Sequence, residues 1–265
     1  MKYELGFIGC GNMGGALITA AAKTVAGKAI AVCDHTPAKA EKFAKAFGAQ
    51  AVTSQEIAQE AEFVILGVKP QAMGETLAPL TSALCARENL TVVTMAAGLS
   101  IATIRRYIGK DVPVIRIMPN TPVTVGAGMI LYATAGVSAE TEQAFLQAFS
   151  KAGLFDKIPE EKMDAGSALS GCGPAFVYAF AEALADGGVE CGVPRDKAAL
   201  YAAQTLLGAA QMLLEFGHPA DLKDAVCSPG GTTIAGIHAL EDAGFRGGAM
   251  SAVTAAYKRT LELKK

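Results

Sequence analysis

The sequence predicts an α/β domain over residues 1–160 followed by an all-helical domain over residues 161–265. In the first part, short β-branched runs alternate with amphipathic helical patterns, as expected for a parallel sheet with helices on both faces. After Ile158 the β-branched runs vanish, and alanine, leucine and glycine dominate. A glycine-rich turn also follows the first β-branched run, where α/β domains commonly bind phosphate groups.

The elements of the first domain follow from these runs in chain order. Strands are predicted at Tyr3–Ile8, Ala29–Val32, Phe63–Val68, Thr91–Met95 and Val114–Met118. The charge-free stretch 117–139 contains prolines and glycines and predicts a strand, a turn and a strand. Pro37–Phe47 predicts a helix, because proline favours the first turn and Gly48 follows its end.

Four helices are predicted in the second domain. One starts near Pro174 and ends at Gly187-Gly188, a second runs from Pro194 to Phe216, and two more follow Gly231 and Arg246. The second helix contains no charged residue from Ala198 to Leu214. Because a helix that is apolar all round must be covered on all sides, we expect a homodimer with a helical interface. Cover by the other C-terminal helices is the alternative.

Composition excludes several classes of protein. The chain is 51% hydrophobic and 18% charged with a formal net charge of −2, so no nucleic-acid partner is expected. It lacks the roughly 20 consecutive apolar residues of a membrane span, and no signal peptide fits its start, so a cytoplasmic protein is expected. Six cysteines without a Cys-x-x-Cys pair and three histidines predict reduced thiols and no metal site.

The glycine-rich turn predicts a dinucleotide site. Gly9, Cys10, Gly11, Asn12, Met13 and Gly14 form a Gly-x-Gly-x-x-Gly spacing that opens a helix near Met13. The first glycine allows the tight turn, the second lets backbone approach a pyrophosphate, and the third lets helix and strand pack closely. Helix N-terminal amides would then bind the phosphates.

The end of the second strand leaves the choice between NADH and NADPH open. Asp34 lies about 20 residues after the turn, where an acid accepts hydrogen bonds from the adenosine ribose and repels a 2′-phosphate. His35, Thr36 and Lys39 follow, and they would bind a phosphate if Asp34 turned away. Alternatively, Asp34 caps the helix that starts at Pro37.

Five segments together resemble a known family. They are Gly6–Gly14, Val68–Pro70, Arg116–Pro122, Ser170–Phe176 and Ser228–Thr233. In order and spacing they are similar to the signature segments of pyrroline-5-carboxylate reductases. The resemblance implies an N-terminal Rossmann domain, a C-terminal domain that interlocks with a second subunit, and an active site at the dimer interface. It further implies hydride transfer from NAD(P)H to the C=N carbon of 1-pyrroline-5-carboxylate, giving L-proline, and members are often decamers of five dimers.

The family commonly ends its second strand with residues suited to NADPH, where this chain has Asp34. Two other functions stay open as alternatives. One is a dehydrogenase of the β-hydroxyacid type, whose helical domain would carry a catalytic lysine. The other is a dinucleotide sensor without turnover.

Further site residues follow the predicted strands. Val68, Lys69 and Pro70 come after a buried strand, at the edge where open α/β sheets bind ligands, and should line the nicotinamide riboside. Ala96 and Ala97 follow the next strand and should touch the same part of the cofactor. Asn120 either orients the nicotinamide or the substrate, or serves only as a turn residue.

A second glycine turn is the candidate substrate site. Ser228, Gly230, Gly231, Thr232 and Thr233 precede an apolar helical pattern, so uncovered amides at a helix N-terminus would hold the substrate carboxylate. The resemblance implies that the Thr233 hydroxyl hydrogen-bonds the ring nitrogen, which makes Thr233 the candidate catalytic residue. An ordinary N-cap at Thr232 or Thr233 is the alternative.

Overall fold

A computed structural model describes residues 1–262, and the chain separates into two compact units. The first unit contains Met1–Cys172 and residues 256–262, and the second contains Gly173–Ala255. The predicted boundary at residue 160 falls in the 3₁₀ turn Glu160–Lys162, upstream of the division between the units.

The first unit is built on one eight-stranded sheet. Its strands are β1 (Tyr3–Ile8), β2 (Ile30–Cys33), β3 (Gln50–Ala51), β4 (Ala61–Leu66), β5 (Thr91–Thr94), β6 (Val114–Met118), β7 (Gly128–Ala135) and β8 (Gly153–Lys157). They lie in the order β3-β2-β1-β4-β5-β6-β7-β8, and only β6 and β7 pair antiparallel. The first six strands have the 3-2-1-4-5-6 order of a doubly wound dinucleotide-binding domain, which confirms the predicted Rossmann fold.

Helices cover both faces of this sheet. They are α1 (Asn12–Ala21), α2 (Pro37–Phe47), α3 (Ser54–Glu60), α4 (Met73–Leu77), α5 (Thr81–Cys85), α6 (Ile101–Ile108), α7 (Ala139–Ala148) and α8 (Met163–Ser170). Alternate residues of β4 belong to different cores: Val64 and Leu66 pack on one face, and Phe63 and Ile65 on the other. This explains why residues 63–66 of β4 are all apolar, since a strand buried on both faces has no polar side.

The second unit is helical. Its helices are α9 (Gly173–Glu190), α10 (Arg195–Phe216), α11 (Pro219–Val226), α12 (Thr232–Asp242) and α13 (Phe245–Glu262), of which the last turns of α13 group with the first unit. Its buried cluster consists of Ala185, Ala198 and Ala202. By length and hydropathy alone, the segment Glu160–Glu190, which includes α8 and α9, is the one segment of the described residues that could cross a membrane, and 11% of its most apolar part is buried.

Most predicted bounds lie close to the observed ones. The strands Tyr3–Ile8 and Val114–Met118 and the helix Pro37–Phe47 have the predicted limits, and Gly48 adopts the left-handed conformation beyond that helix. The predicted stop at Gly187-Gly188 is wrong, because α9 continues to Glu190. A Cβ on Gly188 would lie 3.3 Å from Cβ of Ala198, so this glycine lets α9 and α10 approach closely.

Candidate functional site

The turn between β1 and α1 needs two of its three glycines for packing. Gly9 has a φ of +105°, and a Cβ there would lie 2.6 Å from the carbonyl carbon and oxygen of Gly67. A Cβ on Gly14 would overlap the carbonyl oxygen of Gly9. At Gly11 a Cβ would meet nothing within 4 Å, so the middle glycine leaves open space beside the backbone.

That open space suits an anionic group. Gly11 is the N-cap of α1 and has no side chain to accept hydrogen bonds from the N–H groups of Asn12, Met13 and Gly14. Uncapped amides and the positive end of a helix dipole together bind phosphates. The turn therefore fits the pyrophosphate of a dinucleotide, which is the role predicted for it.

A cavity of about 390 Å³ adjoins the turn. Its lining includes Cys10, Gly11, Asn12, Gly15, Thr19, Lys39, Lys42, Phe43 and Thr124. The two lysines give this cavity a positive side. It thus lies where the predicted dinucleotide site should be, between the glycine turn and α2.

Asp34 is bound to the glycine turn rather than directed away from it. Its Oδ2 accepts a hydrogen bond from the N–H of Cys10 at 2.7 Å, and its Oδ1 accepts from the N–H of Thr36 at 2.9 Å. Nδ1 of His35 lies 3.1 Å from Oδ1. Only 6% of the Asp34 side chain is exposed, whereas the His35 side chain is 89% exposed.

These contacts keep the carboxylate charged. Burial by itself would raise the pKa of Asp34, but the N–H groups of Thr36 and Cys10, together with the charge of Lys39, lower it below its usual value. Burial and the neighbouring Asp34 raise the pKa of the Cys10 thiol to about 12. The Cys10 side chain is therefore a neutral, buried thiol, and its backbone N–H is the functional group.

The loops after β4 and β5 lie at the same edge of the sheet as the glycine turn. The N–H of Gly67 donates to the carbonyl oxygen of Ile8, which fixes the start of the Val68-Lys69-Pro70 segment beside the turn. Lys69 is exposed and precedes a 3₁₀ turn, while Val68 and Pro70 are half-buried. After β5, Ala96 is buried and Ala97 is exposed.

Both polar atoms of the Asn120 side-chain amide form hydrogen bonds within the protein. Its Nδ2 donates to the carbonyl oxygen of Ser170 and its Oδ1 accepts from the N–H of Met129, both at 2.9 Å. These bonds tie the end of α8 to the start of β7, which is the arrangement expected of a structural residue. Its predicted contact with the nicotinamide or substrate has only the remaining N–H and lone pair available.

Sequence reasoning did not predict the buried ion-pair cluster around Arg116. Arg116, 2% exposed in β6, donates to Glu160 Oε1 and to Asp164 Oδ1, each at 3.1 Å. Glu160 Oε1 also accepts from the N–H of Ile101 at the start of α6. An arginine between isoleucines in a buried strand was the available signal, because buried charges require partners.

The second glycine turn leads into α12. The N–H of Gly231 donates to the carbonyl oxygen of Ser228 at 3.0 Å, and Gly230 has a φ of +67°. Gly231 is the N-cap, so neither Thr232 nor Thr233 caps this helix. The first-turn amides of α12 are thus left without a capping side chain, and Thr233 is half-buried on that turn.

No group of three His, Cys, Asp or Glu side chains lies together in the part of the chain described, as a metal site would require. The six cysteines are unpaired.

Fold and glycine turn define an oxidoreductase that uses NAD(P)H and carries a helical C-terminal domain. Residues 4–98 match the family model described as "NADP oxidoreductase coenzyme F420-dependent", and residues 160–263 match "Pyrroline-5-carboxylate reductase dimerisation". A curated pyrroline-5-carboxylate reductase of Escherichia coli is 40% identical over 271 residues, with full coverage of both chains. The corresponding protein of Synechocystis is 42% identical, also with full coverage. The chain belongs to the pyrroline-5-carboxylate reductase family.

Solved structures agree with this assignment. A pyrroline carboxylate reductase of Plasmodium falciparum, solved with NADP bound, has a TM-score of 0.88 and 30% identity, with full coverage of both chains. A pyrroline-5-carboxylate reductase of Coxiella burnetii has a TM-score of 0.90 at the same identity and coverage. These matches confirm the predicted family, fold and type of enzyme. The match to a dimerisation domain indicates an oligomer.

Proposed function

We propose that the protein reduces 1-pyrroline-5-carboxylate to L-proline with NADH or NADPH, the last step of proline biosynthesis. The observation that carries this proposal is the full-length match at about 40% identity to reductases of this name. The glycine turn before α1 and the uncapped start of α12 supply a suitable site for each of the two ligands.

The first unit would hold the dinucleotide. The amides of Asn12 and Met13 would hold the pyrophosphate, because Gly11 leaves the backbone uncapped and open space beside it. Val68, Ala96 and Ala97 would border the nicotinamide riboside at the carboxyl ends of β4 and β5. When bound, the reduced cofactor supplies the hydride, so the chain contributes mainly orientation and electrostatics.

The second unit would hold the substrate. Amides at the start of α12, after Ser228, Gly230 and Gly231, bind the substrate carboxylate at the positive end of the helix dipole. The hydroxyl of Thr233 hydrogen-bonds the ring nitrogen and thereby orients the C=N bond. If the ring nitrogen is protonated when the substrate binds, hydride adds to the C=N carbon and the electron pair of the C=N bond passes to nitrogen, so no separate general acid is required.

We further infer a homodimer, with five dimers forming a decamer as the larger assembly to test. Support comes from the dimerisation match over residues 160–263 and from the apolar surface of α10, where Leu200, Leu207 and Leu214 are exposed. The apolar segment Glu160–Glu190 lies within the same match, so we assign its exposed surface to a protein partner rather than a membrane. We place the protein in the cytoplasm, because its six cysteines are unpaired and reduced thiols are typical of that compartment. We propose no nucleic-acid partner, because the net charge is −2 rather than strongly positive.

The test is the initial rate of cofactor oxidation with 1-pyrroline-5-carboxylate, with L-proline quantified in the same sample. Stoichiometric consumption of the cofactor and formation of proline is expected. Turnover of a β-hydroxyacid in place of the imine would move the chain to the other dehydrogenase class. Cofactor binding without turnover of either substrate would support a dinucleotide sensor.

A further inference from the structure

The end of β2 is the place where dinucleotide-binding domains distinguish their two cofactors. This position faces the adenosine ribose, where an acid accepts from the 2′-hydroxyl of NADH and a cation accommodates the 2′-phosphate of NADPH. Asp34 occupies it here, directly after Cys33 and at the carboxyl edge of the sheet. What surrounds Asp34 therefore determines which cofactor fits.

Donors that a 2′-phosphate would need already serve the carboxylate of Asp34. They are the N–H of Cys10 at 2.7 Å, the N–H of Thr36 at 2.9 Å and Nδ1 of His35 at 3.1 Å. Hydrogen bonds to a charged acceptor are among the stronger ones in proteins. An arrangement in which Asp34 turns away and a phosphate replaces it must break all of them.

The Asp34 carboxylate can still accept a hydrogen bond from a hydroxyl group. Its two oxygens offer about four acceptor sites. Among the described residues, Oδ1 is engaged by Thr36 and His35, while Oδ2 accepts only from Cys10. Oδ2 can thus accept one more bond, from a ribose 2′-hydroxyl. A phosphate there would bring about 1.5 to 2 further negative charges against this buried anion.

The surrounding cations do not offset that repulsion. The first arginine of the chain is Arg87, and its guanidinium donates to the carbonyl oxygens of Ala58, Ala61 and Asn89. No arginine fork therefore stands after β2. Two lysines, Lys39 and Lys42, line the cavity, and Lys39 already acts on Asp34, since its charge contributes to lowering the pKa of that carboxyl.

We propose that this chain binds NADH in preference to NADPH, and that Asp34, held in place by the N–H of Cys10, is the residue that sets the preference. The inference rests on the dinucleotide-binding part of the proposed function. It concerns preference, so weaker use of NADPH is compatible with it.

Equilibrium binding of NADH and of NADPH to the full chain, without substrate, tests the proposal. We expect the Kd for NADH to be lower by at least about tenfold, because juxtaposed like charges are costly in a binding site. Asp34→Ser removes the carboxylate and frees its donors, so the ratio should fall to one or reverse. Asp34→Asn keeps the shape and removes the charge, and it should lose most of the preference even if Asp34→Ser folds poorly.

The matched control is Asp111→Ser. Asp111 has a 91% exposed side chain and precedes β6, at the opposite edge of the sheet, so its loss changes net charge equally without touching the turn. Its ratio of affinities should equal that of the unsubstituted protein. Equal or tighter binding of NADPH by the unsubstituted protein, or a ratio that neither Asp34 variant changes, overturns the proposal.

Failure of this proposal is distinguishable from failure of the reductase assignment. Preferential NADH binding without turnover of 1-pyrroline-5-carboxylate refutes the assignment and leaves the proposal intact. Turnover with tighter NADPH binding does the reverse. Binding of neither dinucleotide refutes both.

Discussion

The two units of this chain bury their apolar side chains to very different extents. In the α/β unit, both faces of the sheet carry large cores, and side chains such as Phe7, Phe63 and Phe145 are almost fully buried. In the helical unit the buried cluster consists of three alanines. On α10, Leu200, Leu207 and Leu214 are exposed by 57%, 53% and 83%.

The difference shows that the α/β unit completes its core within one chain, whereas the helical unit does not. Exposed apolar surface of this extent marks an interaction site. Because residues 160–263 match a dimerisation domain, an oligomer is indicated, and a second copy of the same chain is the partner we propose. Substitutions on the exposed face of α10 should then affect assembly, whereas substitutions in the α/β unit should affect stability or cofactor binding.

The largest effect is expected from Leu207→Glu. Leu200, Leu207 and Leu214 are spaced by seven residues and share one face of α10, so this substitution would place a charge at the centre of the proposed interface. The dissociation constant of the dimer should rise by at least about 1000-fold, as for loss of an interface hot spot with a buried unpaired charge. Light scattering across a concentration series measures it.

Leu154→Glu is the control for that variant. Leu154 is 61% exposed on β8 of the α/β unit, so the same substitution there should leave the molecular mass unchanged. NADH binding should survive in both variants. An unchanged mass for Leu207→Glu would contradict the assignment of this helix face.

Gly9→Ala should have the next largest effect, now in the α/β unit. The positive φ and the overlap with Gly67 should lower the free energy of unfolding by about 2 to 4 kcal/mol, as measured by urea denaturation. Gly11→Ala should alter stability by less than about 0.5 kcal/mol, because its Cβ meets no protein atom. It should instead weaken dinucleotide binding. Equal destabilisation by both would refute their different roles.

Thr233→Ala should lower turnover roughly 10- to 1000-fold, the range expected for one lost polar contact in the transition state. Its Kd for NADH should not change, since the dinucleotide site belongs to the other unit. Thr232→Ala is the control: it removes an exposed hydroxyl but keeps the backbone amide, which is the group assigned to the substrate site, so it should retain most activity. Full activity of the Thr233 variant would remove this hydroxyl from the mechanism.

The smallest effect concerns pH. The lowered pKa of Asp34 means that its ionised form stabilises the fold at pH values above the ordinary aspartate pKa of about 4. This contribution is lost as the pH falls through the lower pKa of the folded state. Urea denaturation between neutral and acidic pH should show a weaker acid dependence for Asp34→Asn. Parallel curves for the two proteins would show that Asp34 does not contribute.

Local sequence patterns were sufficient to predict many strands and helices of the α/β unit. The β-branched run marks the bounds of the strand Tyr3–Ile8. Pro37 and Gly48 mark the start and the end of the helix Pro37–Phe47. The two-residue strand β3 was missed because its formation depends on pairing with β2. The helix α9 runs through Gly187-Gly188 because packing against Ala198 offsets the roughly 1 kcal/mol cost of a helical glycine.

The candidate site likewise has features that the sequence predicts and features that depend on the fold. Spacing alone identified the glycine turn and the acid after β2. The orientation of Asp34 was not predictable, because it depends on the N–H of Cys10, a residue 24 positions away in the chain. The roles of Arg116 and Asn120 likewise depend on partners, Asp164 and Ser170, that only the fold brings near.

The uncovered face of α10 has a consequence for how the protein is made. Synthesis proceeds from the N-terminus, so the strands and helices of the α/β unit leave the ribosome first and can complete their core while the rest is being translated. If a second copy covers α10, as proposed, the helical unit must then wait for another chain, and its maturation becomes a second-order process. Its yield should consequently rise with expression level until aggregation of unpaired chains competes, and a holdase chaperone that shields α10 should widen that range.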